Sequence, residues 1–409
     1  MLCQFSVKNY RSIKEEVVLD MQATAISEYK ESLIVDKDGE SFLPIAAIYG
    51  PNGSGKSNIL RAMNSLAVKI MKPICSICEK EECSNKNLKI DIAAFKFDEN
   101  YVNQPTEFEV FFRTLKAEYR YILKTYKENI IYESLDKKNI DGVRYSALFK
   151  RTRQEKKDVI ELFGALKKLP KPEDISDNIT LISFLAITNK KNEVVKDVIG
   201  WFEGGIIFTN FGNPFTESRI TIPDNEEDIK FLADILQEMD IDITEMRTEG
   251  EGDDFEVYTK HQVGKKTYEL TLSDESAGTK KIVGFLPKIL DSLVNGTTLI
   301  VDELDAKLHP VLIKYIIQLY TNRNSNRFGA QLIFTSHDLA NMNNEVYRRD
   351  EIWFIAKNNE QASNLYSLVE LKDEDGNGIR KDARYDKQYL EGKYGADPYL
   401  KKIISWGKE

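Results

Sequence analysis

The sequence predicts an α/β fold in which a mixed or parallel sheet carries the chemistry, joined by an antiparallel strand-rich lobe and a helical insertion. Three observations lead there. An apolar run, Pro44-Ile45-Ala46-Ala47-Ile48-Tyr49, enters a glycine-rich turn and is followed by Ile59, Leu60, Ala62 and Met63 at helical spacing. A helical stretch from Thr279 to Leu293, a buried strand Thr298 to Val301, a helix Val311 to Tyr320 and a strand Gln331 to Thr335 repeat that rhythm, which reads as parallel layering. Between these blocks, Ala94–Phe97, Phe108–Phe112, Tyr119–Leu123 and Ile130–Glu133 alternate with a period of two, as in an antiparallel meander.

The remaining elements follow in chain order. Phe5, Val7 and then Val17 to Leu19 alternate like strands around Asn9-Tyr10-Arg11-Ser12. Residues 151–202 are charged and helix-favouring, interrupted at Pro170 and Pro172, and a turn-rich stretch with Gly204, Gly205, Gly212 and Pro214 comes next. A helix is expected from Glu226 to Met239 and two strands between Phe255 and Leu272. The expected organisation is an N-terminal lobe at 1–140, a helical insertion and connecting segment at 141–225, and a C-terminal lobe at 226–409.

Composition narrows the function classes. A chain of 409 residues suggests two or three units, or one large fold with insertions, at roughly 100–200 residues each. With 42% hydrophobic and 30% charged residues it has the balance of a globular chain and not of a disordered one. No apolar run approaches the roughly 18–20 residues of a membrane span, and the start lacks a secretory pattern. Four cysteines (Cys3, Cys75, Cys78, Cys83) do not make a disulfide framework, so a cytoplasmic location is expected. The net charge of −9 argues against a surface that binds nucleic acid as a whole and leaves room for a local basic groove.

Four motifs carry chemistry. Gly50-Pro51-Asn52-Gly53-Ser54-Gly55-Lys56-Ser57 fits G-x-x-x-x-G-K-[ST] between an apolar strand and an amphipathic helix. Its glycines let backbone N–H groups curl around phosphate oxygens, Lys56 would reach the β- and γ-phosphates, and the Ser57 hydroxyl would bind Mg²⁺. Leu299-Ile300-Val301-Asp302-Glu303 is an apolar strand delivering two carboxylates, Asp302 suited to hold Mg²⁺ and Glu303 to act as general base on a water. Leu332–Ser336 ends in His337, which could contact a γ-phosphate or polarise that water. Ser276-Ala277-Gly278 opens a helix with small residues and a hydroxyl, either an ordinary N-cap or a second anion site.

In that order the motifs resemble the head of an ABC-type ATPase, nearest to the RecF/SMC branch, which also shows an N-terminal "NYRSI"-like strand. The resemblance implies an ABC-ATPase head that binds ATP and Mg²⁺. Nucleotide contacts would come from Asn52, Gly53, Ser54, Gly55, Lys56, Ser57 and Asn58, metal contacts from Ser57 and Asp302, and catalysis from Glu303, His337 and Lys56. Ser276 and Gly278 of one chain would close over the ATP held by Lys56 of another. Glu275-Ser276-Ala277-Gly278-Thr279, the Leu308-His309-Pro310 ending, and Tyr389–Pro398 are similar to OLD-like bacterial "AAA" ATPases. They are most similar to the stand-alone ATPases of anti-phage loci of the AbiL/RloA kind, related to those of PARIS and Septu. No glutamine marks a Q-loop near 178–189, and Arg11 is either a surface arginine or a phosphate contact of the kind related heads make.

Weaker constellations point elsewhere. Cys75, Cys78 and Cys83 have a spacing that suits zinc, but without an apparent fourth ligand they read as reduced, partly buried thiols. Residues 150–157, with Lys167-Lys168, form a basic run that suits either a phosphate backbone or a solvated helix face. Three functional readings follow. One is a Mg-dependent ATPase whose homodimer, or higher homo-oligomer, switches a separate effector, a nuclease or toxin encoded nearby, in anti-phage defence. The second is a RecF-like clamp on DNA, and the third is a scaffold restraining an effector. No membrane partner is expected.

Overall fold

The computed structural model describes residues 1–77, 90–154, 157–172, 174–211, 226–250, 256–373 and 375–396. Its centre is a six-stranded sheet in the order Ile206–Asn210, Thr298–Asp302, Gln331–Thr335, Ile45–Tyr49, Ile352–Lys357, Ser363–Ser367. The first five strands run parallel and the last returns antiparallel. Every residue of Ile45–Tyr49, Thr298–Asp302 and Gln331–Thr335 is buried, because helices or a second sheet cover both faces.

The period of two decides what each face meets. Ala46, Ile48, Ile300 and Ile333 join one apolar cluster with Ile59, Met63 and Leu66 of the helix Lys56–Ser76. Ala47, Leu299, Val301, Leu332 and Phe334 face the other way, against Ile282, Leu286 and Ile289 of the helix Ala277–Asn295 and Ile313 and Ile317 of Pro310–Thr321. The helix Lys56–Ser76 is itself sandwiched. Its far side meets a seven-stranded antiparallel sheet ordered Lys157–Leu162, Ser146–Gln154, Asn129–Asn139, Ala117–Tyr126, Thr106–Arg113, Leu2–Lys8, Val17–Asp20. A small sheet of Glu245–Glu249, Glu256–Val263 and Lys266–Thr271 leads into the helix Ala277–Asn295. Together these are the parallel sheet, the antiparallel strand-rich lobe and the helical additions that the sequence predicts. Among the described residues no helix is long and apolar enough to cross a membrane.

Two readings of the sequence need correction. Ala94–Phe97 is not a strand; Phe95 is fully buried and its amide N–H bonds the Asn9 side-chain oxygen at 3.0 Å, so the segment is held by a side chain and not by a ladder. Residues 146–162 are two strands and not helix, and the helices of this region are Leu181–Thr188 and Glu193–Gly204. The charges that suggested solvated helix pair across the hairpin, Lys150 opposite Glu161 and Arg153 opposite Asp158. Arg151 is fully buried, donating to Asp158 at 3.0 and 2.7 Å and to the Ile179 carbonyl at 2.6 Å. Arg153 pairs with Asp158 and Asp177. The two arginines of the basic run are therefore neutralised within the chain, and Glu155 and Lys156 lie outside the described residues.

Candidate functional site

The carboxyl ends of the parallel strands gather the site, as open α/β sheets dictate. After Ile45–Tyr49 the chain turns through Gly50 and enters the helix Lys56–Ser76 with Gly55 as N-cap at φ 106° and no side-chain cap. The first amides of that helix are thus left for an anion. The loop passes close to its surroundings: a Cβ on Gly50 would stand 2.3 Å from the Ile355 carbonyl oxygen, and one on Gly55 2.4 Å from Ser363 Oγ and 2.6 Å from Ser12 Oγ. Ser363 Oγ donates to the Ser54 carbonyl at 2.6 Å, lies 2.8 Å from Ser12 Oγ, and Asn58 Nδ2 donates to Ser12 Oγ at 2.7 Å. The N-terminal turn, the last central strand and the loop are thereby locked together. Gly55→Ala, with both a left-handed φ and this hydroxyl pair in its way, is expected to cost about 1–3 kcal/mol and most ADP binding. Gly53→Ala, at φ 76° but with nothing within 4 Å, keeps binding; equal losses in a paired ADP titration would overturn this account.

Lys56 is buried and donates to the Gly50 and Pro51 carbonyls at 2.7 and 3.2 Å. Burial pushes its ammonium down to about 8, against the attraction of Asp305, Asp302 and Glu303. An ammonium so desolvated gains from an arriving anion. Ser57 Oγ donates to Asp302 Oδ1 at 2.9 Å, so hydroxyl and carboxylate from motifs 245 positions apart meet directly. Thr335 Oγ1 donates to the same oxygen at 2.7 Å and accepts the Glu303 amide at 2.7 Å, and Asn210 Nδ2 lies 3.3 Å from Asp302 Oδ2. Ser54 Oγ and Asp305 Oδ1 are buried without a hydrogen-bond partner. Two hard oxygens facing each other fit Mg²⁺, and the orphaned hydroxyl in the loop fits a phosphate oxygen.

Glu303 is exposed just past the strand and has φ 60°, left-handed for a non-glycine. His337 lies past Thr335, its imidazole held below its ordinary value by burial and then by the Lys56 charge, hence neutral at pH 7. Lys56, Ser57, Asp302, Glu303 and His337 thus share one neighbourhood. Ser276 does not reach it through its hydroxyl, which bonds Thr279 N at 3.1 Å and Thr279 Oγ1 at 2.9 Å in the first turn of its own helix. A Cβ on Gly278 would meet the Lys307 carbonyl at 3.1 Å, which seats this helix end against the loop after Glu303. His309 caps the helix Pro310–Thr321 through Nδ1, 3.3 Å from Val311 N. Arg11 is paired with Asp91.

Sequence reading missed Ser12, Thr335, Asn210, Asp305 and Ser363. Thr335 was visible as the polar end of an apolar strand, and Asn210 supplies an amide beside Asp302 without a glutamine to mark it. Cys3 and Cys75 are buried, whereas Cys78, Cys83, Asp397 and Pro398 lie outside the described residues. Among the described residues no cluster of three His, Cys, Asp or Glu side chains could hold a metal.

A parallel sheet whose strand ends carry a glycine-rich phosphate loop, a Ser57–Asp302 pair and a following acid defines a P-loop ATPase domain of the AAA type. The chain belongs to the family described as "AAA domain, putative AbiEii toxin, Type IV TA system", whose profile matches residues 45–343. That span runs from the strand before the loop to beyond His337. Among solved structures the chain is similar to one described as "Crystal structure of the SmcHead bound to the C-winged helix domain of ScpA", with 13% identity, 90% of this chain and 97% of that one covered, and a TM-score of 0.40. No curated protein matches.

Proposed function

We propose that the protein is a Mg-dependent ATPase whose heads dimerise around ATP and so switch a partner effector in bacterial defence. The observation that carries the reading is the Ser57 Oγ–Asp302 Oδ1 contact of 2.9 Å beside the buried Lys56. Ser57 and Asp302 would hold Mg²⁺, which would draw charge from the β- and γ-phosphate oxygens. Asn52, Gly53, Ser54, Gly55 and Asn58 would cradle the phosphates or brace the cradle, with Lys56 leaving the Gly50 and Pro51 carbonyls to reach them. Glu303 would take the proton of the attacking water, and neutral His337 would donate a hydrogen bond to the γ-phosphate or that water.

Ser276 supports the dimer. It is exposed at the start of a helix, as a residue that completes a partner's site must be. The family's description, with its toxin and type IV toxin–antitoxin terms, supports the defence role. The pairing of Arg151 and Arg153 with acids speaks against a DNA clamp built on that basic run.

The test is the solution mass of the Glu303→Gln protein by light scattering. Mg-ATP is expected to double it from 47.0 kDa, and Ser276→Arg to abolish the doubling. A mass that stays constant with ATP would overturn the composite site.

A further inference from the structure

The residue just before Ser276 is unusual for a loop carboxylate. Glu275 lies outside helix and strand, yet its side chain is only 9% exposed. It reaches back to the middle strand of the small sheet, Glu256–Val263. There Oε1 receives Thr259 Oγ1 at 2.6 Å and meets His261 Nε2 at 2.7 Å. A carboxylate only accepts, so Nε2 carries the proton and both neighbours donate to one oxygen. Burying a carboxylate is costly unless it is hydrogen-bonded, and two short charge-assisted bonds are the form that offsets the cost. Thr259 is itself fully buried, so the anchor belongs to the packed part of the sheet.

The consequence lies one residue on. Ser276 has extended backbone (φ −61°, ψ 154°) and caps the helix Ala277–Asn295, so the direction of that helix's first amides depends on how Glu275 enters it. We propose that Thr259, His261 and Glu275 form a clamp that positions Ser276 for the nucleotide of a second copy of this chain, Glu275 acting as a positioning residue that touches no nucleotide. The inference rests on the composite-site dimer proposed above. It makes the small sheet the platform from which the helix end is aimed outward, while Gly278 packed on the Lys307 carbonyl seats the same end against its own chain's Glu303 loop.

The clamp is tested in the Glu303→Gln background. Glu275→Leu and His261→Ala are expected to weaken Mg-ATP-dependent dimerisation at least about tenfold while ADP affinity stays within about twofold. Glu275→Gln, which keeps an Oε1 acceptor, is expected to restore it. Amide exchange over residues 276–280 in the ADP-bound monomer is expected to quicken about fivefold in Glu275→Leu. Dimerisation equal to the parent's, a matching loss of ADP binding, or unchanged exchange would each overturn the proposal. A parent that stays monomeric with ATP removes the composite site itself, a failure seen in the parent and not in the clamp variants.

Discussion

Glu303→Gln is expected to bind ATP with parental affinity and to turn it over about 10²–10⁴-fold more slowly, the usual span for loss of a positioned general base. The geometry explains why this position has no ready substitute. The strand Thr298–Asp302 ends one residue earlier, and the Glu303 amide donates to Thr335 Oγ1 at 2.7 Å, whose hydroxyl in turn holds Asp302. Backbone and metal-site carboxylate are thus tied to one threonine, and the acid is swung out by a left-handed φ of 60°. That conformation costs a non-glycine residue roughly 1–2 kcal/mol, a strain that persists only where its surroundings enforce it. Asparagine tolerates the left-handed region better than glutamate. Glu303→Asn is therefore expected to be as inactive as Glu303→Gln yet about 1 kcal/mol more stable in chemical denaturation. Turnover in Glu303→Gln at the parental rate would remove Glu303 from the chemistry. A Glu303→Asn protein less stable than the parent would show that the carboxylate, and not the fold, holds the unusual backbone.

Much of the site was legible because its parts are local. A buried strand, a glycine turn and an amphipathic helix lie within 45–63, and Val301-Asp302-Glu303 announces itself by the sudden change from apolar to acidic. What holds these parts together was not legible. Ser12 and Ser363 touch across 351 positions, and although Ser12 lies in the Asn9–Ile13 stretch that resembles related heads, nothing in either neighbourhood points to the other. Asp305 is a mid-loop acid in the sequence, while in space it is the first of the carboxylates attracting the Lys56 ammonium. The outer sheet was misread where charge outvoted alternation: residues 157–162 alternate, but Arg151 and Asp158 at inward positions look polar unless their pairing is known. Glu133 shows the same limit. It is a fully buried strand carboxylate that accepts the Leu181 and Ile182 amides at 2.6 and 3.1 Å, capping a helix about fifty positions later.

Removal of the Arg113 guanidinium is expected to be the most damaging single change away from the nucleotide. Its side chain is 1% exposed and serves four acids: Nε bonds Glu118 at 2.7 Å, the terminal nitrogens reach Asp36 and Asp38 at 2.9 Å, and Glu40 completes the ring. Its Cζ also sits over Phe42, 4.8 Å from the ring centre. Burial raises the Glu118 and Asp38 carboxyls, but hydrogen bonds outweigh it, from Tyr145, Lys138 and Arg113 on Glu118 and from Arg113 and the Glu40 amide on Asp38, so both lie below their ordinary values. Depressed acids contribute stability above their unfolded values of roughly 4, and that contribution fades as pH falls through the folded ones. Arg113→Met keeps the stem's packing and leaves four carboxylates facing one another, with Lys138 remaining at Glu118. Breaking a buried pair from one side costs about 3–5 kcal/mol. The sign of the pH response then reverses. Crowded like charges raise the carboxyl values, so the variant recovers stability as protons bind, at up to about 1.4 kcal/mol per pH unit for each proton. Urea denaturation should show the full deficit at pH 7.5 and a deficit smaller by at least about 1 kcal/mol at pH 5. A deficit independent of pH would mean that lost packing on Phe42, and not charge compensation, is what Arg113 provides.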